Sequence, residues 1–233
     1  MPADVSDRPT RSHARLGRER IAALIREAAI TEFSLYGFKG ASTQAIAERA
    51  GLTKPQLHYY IKGKDDLYEE LLFAVLQGWS EAFAFDASRG DPQRVLTHYI
   101  QRKLAYALDN PGLSRIFTSE VLGGGPNLGR YWPLAVRSTQ QKIDLIDSWI
   151  AQGLMRPLDA RLLLMHIWAM TQHYADYAVQ VRVILGQPVD APIERAPIER
   201  ELTAFVLRGC GFAPEPDVAA PKRRRPPRAA LAP

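Results

Sequence analysis

The sequence predicts an all-α fold of about nine helices, and three observations lead to this prediction. Apolar residues recur at spacings of three and four over most of the 233-residue chain, which is the period of an amphipathic helix. Capping residues, glycines and prolines separate these periodic segments. No segment alternates apolar and polar residues over a length sufficient for a β-strand.

The first predicted helix runs from about Arg15 to Tyr36 and places its apolar residues on one face. Gly37 follows it, and glycine accepts the positive φ with which many helices end. Residues 1–14 are polar and bury little, so we expect a disordered N-terminal arm there. These residues also lack the apolar stretch of a secretory signal.

Residues 42–61, STQAIAERAGLTKPQLHYYI, predict two short helices joined by a tight turn. Ser42 or Thr43 can cap the first helix, and Gly51 can adopt positive φ directly after it. Thr53 can cap the second helix. This layout is typical of a helix-turn-helix, in which the second helix enters the major groove of DNA.

The second helix of this motif has a polar and aromatic outer face, whereas Leu57 can face inward. Gln pairs well with adenine and Lys with guanine. Three residues are therefore candidates for base contacts: Lys54, Gln56 and His58. Five more are expected to reach phosphates through a hydroxyl group or a positive charge: Thr43, Thr53, Tyr59, Tyr60 and Lys64. Two local alternatives stay open, since Thr53 could serve only as a cap and Tyr60 could serve only to pack.

Positive charge is concentrated at both ends of the chain. Residues 1–64 carry 11 Lys and Arg against 6 Asp and Glu, whereas residues 65–218 carry 14 against 19. A basic module on an acidic body is commonly used to bind phosphates, although charges also simply solvate surfaces. The basic tail, residues 211–233, is expected to be disordered, and it could contact DNA non-specifically or only maintain solubility.

The rest of the chain predicts a long helix from about Lys64 and five further helices. Their approximate bounds are Pro92–Asn110, Leu113–Leu122, Leu134–Gln152, Asp159–Leu185 and a last helix that ends near Leu207. The glycine-rich segment 123–129 is expected to be a flexible loop. It is not a phosphate loop, because no strand precedes it and no Gly-Lys-Ser/Thr ends it.

Composition excludes several classes of protein. Cys210 is the only cysteine, so the chain cannot form an intramolecular disulfide, which suits a cytoplasmic protein. No apolar run approaches the roughly 18 residues of a membrane span. The histidines are scattered, and no nucleophile elbow or pair of carboxylates in a plausible cleft is evident. We therefore expect no enzyme activity, no metal and no cofactor.

The segment AAITEFSLYGFKGASTQAIAERAGLTKPQLHYYIKGKDDLYEELL, residues 28–72, resembles the N-terminal domain of the TetR family of transcriptional regulators. The resemblance implies an all-α homodimer that binds operator DNA through three N-terminal helices and a small molecule through a larger helical domain. On this chain it implies a DNA-binding domain over residues 15–63 and a ligand-binding and dimerisation domain over residues 64–210.

Three later segments are similar to the pyrimidine-utilisation regulators of that family. They are DNPGLSRIFTSEVLGG at residues 109–124, DSWIAQGLMRPLD at 147–159 and IWAMTQHYADYAVQV at 167–181. Regulators of that type respond to uracil or thymine and control pyrimidine breakdown and related nitrogen metabolism. The resemblance therefore implies a uracil or thymine effector.

The candidate effector site lies on the helix predicted from Asp159, where Trp168, Gln172 and Asp176 recur every four residues and share one face. The Gln172 amide has a donor end and an acceptor end, which match the adjacent N–H and C=O groups of uracil. From spacing alone, burial in a dimer interface or mutual satisfaction of Trp168 and Gln172 is the stronger interpretation.

The resemblance reverses that preference, because it places the matching Trp and Gln positions in the effector pocket. It thereby implies that Trp79, Trp168 and Gln172 contact the ligand. Three neighbours complete the predicted set: Phe117, Asp176 and Tyr177.

These features predict a dimeric repressor that uracil or thymine releases from DNA. Two alternatives keep the fold and change the role. One is a TetR-type regulator of another small-molecule pathway, and the other is a nucleoid-associated DNA-binding protein without an effector.

Overall fold

A computed structural model describes residues 11–82, 85 and 90–213 of the chain. The described residues form ten α-helices and no strand, which confirms the all-α prediction. The helices are α1 Arg11–Gly40, α2 Thr43–Arg49, α3 Lys54–Tyr60, α4 Lys64–Ala82, α5 Pro92–Asp109, α6 Pro111–Leu122, α7 Trp132–Ala151, α8 Ala160–Asp176, α9 Ala178–Leu185 and α10 Arg195–Gly209. Residues 1–10 of the expected disordered arm and residues 214–233 of the expected tail lie outside the described residues. The prediction was wrong for residues 11–14, which form the beginning of α1.

The tenth helix arises because the helix predicted from Asp159 to Leu185 is divided at Tyr177, whose φ of −106° and ψ of 30° are not helical. Neither glycine nor proline marks this break in the sequence. The adjacent Asp176 instead accepts hydrogen bonds from Ser114 and Thr118 of α6, so a tertiary contact lies where the helix is interrupted.

Gly37 turns the chain near the end of α1, as its sequence position predicts. Its φ of 65° and ψ of 179° interrupt the helical backbone, which continues to Gly40. The turn places the ring of Phe38 against those of Phe33 and Tyr68, at centroid distances of 6.4 and 4.9 Å. The positive φ of this one glycine thus brings the three aromatic rings together.

The apolar residues form two cores, which we call the N-terminal core and the C-terminal core. The N-terminal core joins α1–α4 with α6, and its fully buried side chains include Phe33, Leu57 and Leu72. The C-terminal core joins α5, α7, α8 and α10, and it includes Leu96 and Leu164. The N-terminal core therefore extends well beyond the three DNA-binding helices.

Trp79 on α4 packs against both cores. A second connection lies at Gly112, in the first turn of α6. A Cβ atom at this position would lie 2.6 Å from Cγ2 of Ile30 on α1, which is closer than atoms can approach without movement. Glycine therefore allows α6 to pack directly on the first helix.

Cys210 is fully buried in the C-terminal core, as expected of a small apolar residue. Burial raises the pKa of its thiol to about 11, so the group stays protonated near neutral pH. Across residues 11–82 and 90–213, none of the helices combines the length and hydrophobicity that a bilayer-spanning segment requires.

Candidate functional site

The helix-turn-helix is held in place by local caps. Ser42, not Thr43, caps α2, because its Oγ accepts a hydrogen bond of 3.1 Å from the backbone N–H of Ala45. Thr43 is the first residue of α2 and is half-buried. Gly51 then adopts a φ of 71°, which L side chains rarely adopt and which the turn between the two helices requires.

Thr53 and Gln56 form a reciprocal capping box at the start of α3. The Thr53 hydroxyl accepts the N–H of Gln56 at 3.4 Å, and Gln56 Oε1 accepts the N–H of Thr53 at 2.8 Å. Bidentate pairing with adenine requires both the oxygen and the nitrogen of a glutamine amide. While the capping box persists, Gln56 can only donate to a base, which narrows its predicted role.

The outer face of α3 lies as the sequence predicts. Lys54, Gln56 and His58 are exposed, and Tyr59 is 74% exposed. Leu57 is fully buried in the N-terminal core and fixes this orientation.

Tyr60 is half-buried and packs against the N-terminal core, with its ring edge-on to that of Tyr59 at 5.2 Å. The packing role that the sequence left open for Tyr60 is therefore present. Contact of its hydroxyl with phosphate stays a prediction.

Lys64 ties the start of α4 to the segment between α1 and α2. Its Nζ donates to the carbonyl oxygens of Phe38 and Ala41 at 2.9 and 3.1 Å and lies 4.5 Å from the centroid of the Phe38 ring. An ammonium group has three donors, so at most one remains for the predicted phosphate contact. The same contacts connect α4 mechanically to the DNA-binding helices.

An ion pair that the sequence did not predict fixes α2 on α1. Glu32 is 4% exposed, and its Oε1 accepts from Nη2 and Nε of Arg49 at 2.6 and 3.0 Å. A charge-assisted pair with a buried carboxylate holds a fixed geometry better than an exposed pair does. It sets the position of the first helix of the motif.

A small cavity lies between α4, α5, α6 and α8. Its volume is about 10 Å³, and it is lined by Trp79, Lys103, Tyr106, Ala107, Ser114 and Gln172. A volume of this size accommodates roughly one water molecule. The structure thus brings together two of the predicted ligand contacts, Trp79 and Gln172, in a site with little free space.

Lys103 is the main residue of this site that the sequence analysis missed. It is 4% exposed, and its Nζ lies 4.8 Å from the Trp79 ring centroid and 5.8 Å from that of Trp168. Burial, and to a lesser extent the charge of Lys142, lowers the pKa of Lys103 to about 7.

A sequence signal for Lys103 was present. It lies on the apolar face of α5, between Ile100 and Leu104, where a lysine breaks the pattern of buried residues. A charged residue at a buried position of an amphipathic helix departs from the expected pattern and indicates a functional position.

Trp168 and Phe117 lie around the cavity and do not line it. The indole N–H of Trp168 donates to the hydroxyl of Tyr99 at 2.6 Å, so Tyr99 and not Gln172 is its partner. The ring of Phe117 packs edge-on against Trp79 at a centroid distance of 4.5 Å. Both residues therefore support side chains at or near the cavity: Trp168 bonds to Tyr99, and Phe117 packs on Trp79.

Asp176 is also a supporting residue in this structure. Its two carboxylate oxygens accept from Ser114 Oγ and Thr118 Oγ1, both at 2.7 Å, and Ser114 itself lines the cavity. Tyr177 lies apart from the site: it is 56% exposed and stacks on His173 at 5.0 Å. The structure therefore brings Asp176 next to the cavity and leaves Tyr177 on the surface.

A larger cleft of about 330 Å³ lies between α1 and the start of α6. Its lining combines polar residues such as Glu27, Thr31 and Asp109 with apolar ones such as Ile30 and Leu35, and it includes none of the predicted ligand contacts. We therefore take the smaller cavity as the candidate effector site. Within the described parts of the chain, no group of three or more His, Cys, Asp or Glu residues is placed to hold a metal ion.

Comparisons with known proteins bear on both halves of the chain. Residues 25–71 match the family model "Bacterial regulatory proteins, tetR family", and residues 72–213 match the model "YcdC-like protein, C-terminal region". The chain is 38% identical over 166 residues to the HTH-type transcriptional regulator RutR of Escherichia coli O157:H7, a match that covers 70% of this chain and 77% of that protein.

Solved structures show the same fold. The ketosteroid transcriptional regulator KstR2 of Mycobacterium tuberculosis superposes with a TM-score of 0.66 at 20% identity, over 82% of this chain and 94% of that one. A tetR-family regulatory protein from Rhodococcus RHA1 gives a TM-score of 0.67 at 19% identity, over 83% and 98% of the two chains.

The family models and the sequence relative agree with the helix-turn-helix geometry of α2 and α3. They confirm the prediction of a ligand-responsive, DNA-binding transcriptional regulator that is not an enzyme. The chain belongs to the TetR family of bacterial transcriptional regulators.

Proposed function

We propose that this chain is a repressor that uracil or thymine releases from operator DNA, and that it controls genes of pyrimidine breakdown and related nitrogen metabolism. The observation that carries the proposal is the cavity that Trp79 and Gln172 share. The likeness to RutR and to the pyrimidine-utilisation regulators supports it.

The cavity has the chemistry that a pyrimidine requires. The Gln172 amide pairs with an adjacent N–H and C=O, and the indole of Trp79 forms a flat wall for the ring. The hydroxyl of Ser114 adds a further polar group. Because a volume of about 10 Å³ accommodates roughly one water, a pyrimidine enters only when the surrounding helices separate.

Separation of these helices couples ligand binding to DNA binding. Trp79 packs against both cores, so a ligand that displaces it acts on the N-terminal core as well. Its helix, α4, begins at Lys64, whose ammonium group is bonded to Phe38 and Ala41 beside the helix-turn-helix. A ligand that favours the opened arrangement weakens operator binding by its differential affinity, typically about 1–3 kcal/mol.

We also propose a homodimer as the DNA-binding form. Apolar side chains on the last three helices are exposed in the single chain, and such surfaces commonly mark protein interfaces. They include Leu162 and Met165 on α8, Val179 and Val183 on α9, and Phe205 on α10. A symmetric dimer presents two α3 helices to half-sites about 34–36 Å apart, or to a multiple of that spacing.

A fluorescence-anisotropy titration tests the effector. Operator fragments are first selected from a random DNA library with the purified protein, and uracil, thymine, cytosine and adenine are then added to the complex. We expect uracil or thymine to release the DNA at lower concentration than the other bases do. Gln172→Leu should abolish this response, because it removes both ends of the amide.

Gln140→Leu is the matched control, since Gln140 is exposed on α7 and bonds to Asp144 away from the cavity. Operator affinity that no pyrimidine alters would contradict the proposed effector. If the selected fragments also shared no sequence, an effector-independent nucleoid protein would be the better description.

A further inference from the structure

We infer that Lys103 is an effector-binding residue that donates a charge-assisted hydrogen bond to a carbonyl oxygen of the effector. It thereby selects rings that present an oxygen at that position over rings that present an amino group. This inference rests on the proposed function, because it specifies how the same cavity distinguishes one pyrimidine from another.

The position of Lys103 carries the inference. Its side chain lines the same cavity as Gln172 and is 4% exposed. Its ammonium group lies between two indole rings, 4.8 Å from the centroid of Trp79 and 5.8 Å from that of Trp168. Indole faces attract a cation, so both rings favour the charged form at this place.

The chemistry of the ring completes the match. Uracil and thymine have two carbonyl oxygens, one on each side of the N3–H group. The Gln172 amide pairs with the N–H and one carbonyl, and the Lys103 ammonium supplies a donor for the second oxygen. Cytosine has an amino group in place of one oxygen, and two donors that face each other repel.

Hydrogen bonds between a charged donor and a buried acceptor are about twice as strong as neutral ones. A site built to bond a particular polar group discriminates strongly against an analogue that lacks it. Lys103 is therefore a stronger source of discrimination than an apolar wall of the cavity.

The chain offers a matched control for this lysine. Lys142 on α7 is also buried, at 7% exposed, and burial lowers its pKa as well. Its Nζ donates to the carbonyl and the hydroxyl oxygen of Ser138, at 3.0 and 2.9 Å, and it does not line the cavity. A general effect of removing a buried cation appears in both variants, whereas loss of an effector contact appears only at Lys103.

Isothermal titration calorimetry at pH 6.5, where Lys103 is largely charged, provides the test with uracil and cytosine as probes. We expect Lys103→Met to weaken uracil binding about tenfold or more and to bring the ratio of uracil to cytosine affinity close to one. Lys142→Met should change that ratio by no more than about twofold. A purely structural role of Lys103 would weaken both probes equally and leave their ratio unchanged.

Lys103→Gln is the second variant. It keeps a neutral hydrogen-bond donor and should therefore retain part of the preference for uracil over cytosine. It also provides the test if Lys103→Met does not fold. The inference is overturned if these variants bind uracil and cytosine with the wild-type ratio while the wild type responds to uracil. In that case the proposed function stands without the lysine contact. A wild-type protein that binds neither uracil nor thymine would instead overturn the proposed function together with this inference.

Discussion

The outer face of α3 and the cavity beside α8 are built in opposite ways. On α3 the polar groups are exposed and are fixed by partners close in sequence, as Thr53 and Gln56 are, three residues apart. Around the cavity the polar groups are largely buried and are fixed by distant partners: Trp168 and Tyr99 are 69 residues apart, and Thr118 and Asp176 are 58 apart. Substitutions on the exposed face of α3 should therefore change DNA binding with little effect on stability, whereas substitutions around the cavity should change stability as well.

The largest effect should come from Leu57, the one buried residue of α3. Leu57→Ala removes a fully buried residue and should lower the free energy of unfolding by about 2–5 kcal/mol. Urea denaturation measures this loss. Tyr59→Ala is the matched surface variant at 74% exposure, and it should weaken operator binding with little loss of stability. Equal losses of stability in the two variants would remove the contrast between exposed and buried positions of α3.

Lys103 should make stability depend on pH. Its pKa falls from an ordinary 10.5 to about 7 in the folded chain. Between these values the unfolded chain binds more protons at this residue, so stability rises with pH through this window. Below pH 7 both states are protonated and the full cost of burying the charge is present.

Lys103→Met should therefore raise the free energy of unfolding on the order of 2–4 kcal/mol at pH 6 and by less at pH 9. Thermal unfolding of both proteins at the two pH values measures the difference. Lys142 is common to both proteins, so its contribution largely cancels. Parallel pH profiles would show that burial of Lys103 has no cost.

Asp176 tests whether the contacts around the cavity stabilise the fold. Asp176→Ala leaves the hydroxyls of Ser114 and Thr118 without their acceptor and should cost roughly 1–3 kcal/mol. Asp144→Ala is the control, since that carboxylate is exposed and bonds only to Gln140 among the hydrogen bonds described. Denaturant titrations that gave both variants the same stability would contradict a structural role for Asp176.

The smallest effects should separate the two roles of Gln56. Glutamate also completes a capping box, so Gln56→Glu should keep stability while its charge and missing donor weaken operator binding. Gln56→Ala should cost about 0.5–1 kcal/mol through loss of the cap and should relax specificity at one position of each half-site. Selection from a random DNA library with each variant measures the specificity. Unchanged selected sequences in both variants would leave Gln56 with the capping role alone.

Sequence reasoning succeeded where structure depends on neighbours in the chain. Gly37, Gly51 and Thr53 act at the positions and in the manner expected of a turn or cap. The inward direction of Leu57 follows from helical periodicity. These features require no knowledge of which helices meet in space.

Sequence reasoning failed where a distant partner decides. Nothing local ends α8 at Asp176, and the contact with α6 across about 60 residues could not be foreseen. The indole N–H of Trp168 donates to Tyr99, a partner 69 residues away that no local pattern indicated, and the ligand contact of Trp168 stays a prediction. Lys103 was visible as an irregularity in the apolar face of α5, but its meaning depended on the two tryptophans that meet it.

The size of the cavity has a consequence for how such a sensor sets its threshold. If the effector must separate the helices around about 10 Å³ of space, its apparent affinity is its intrinsic affinity reduced by the rarity of the opened state. A substitution that pre-opens the cavity would then increase sensitivity to the effector and weaken operator binding in the resting cell by the same equilibrium. Tight operator binding without effector and high sensitivity to effector would then oppose each other. The packing of Trp79 would set the effector concentration at which the DNA is released.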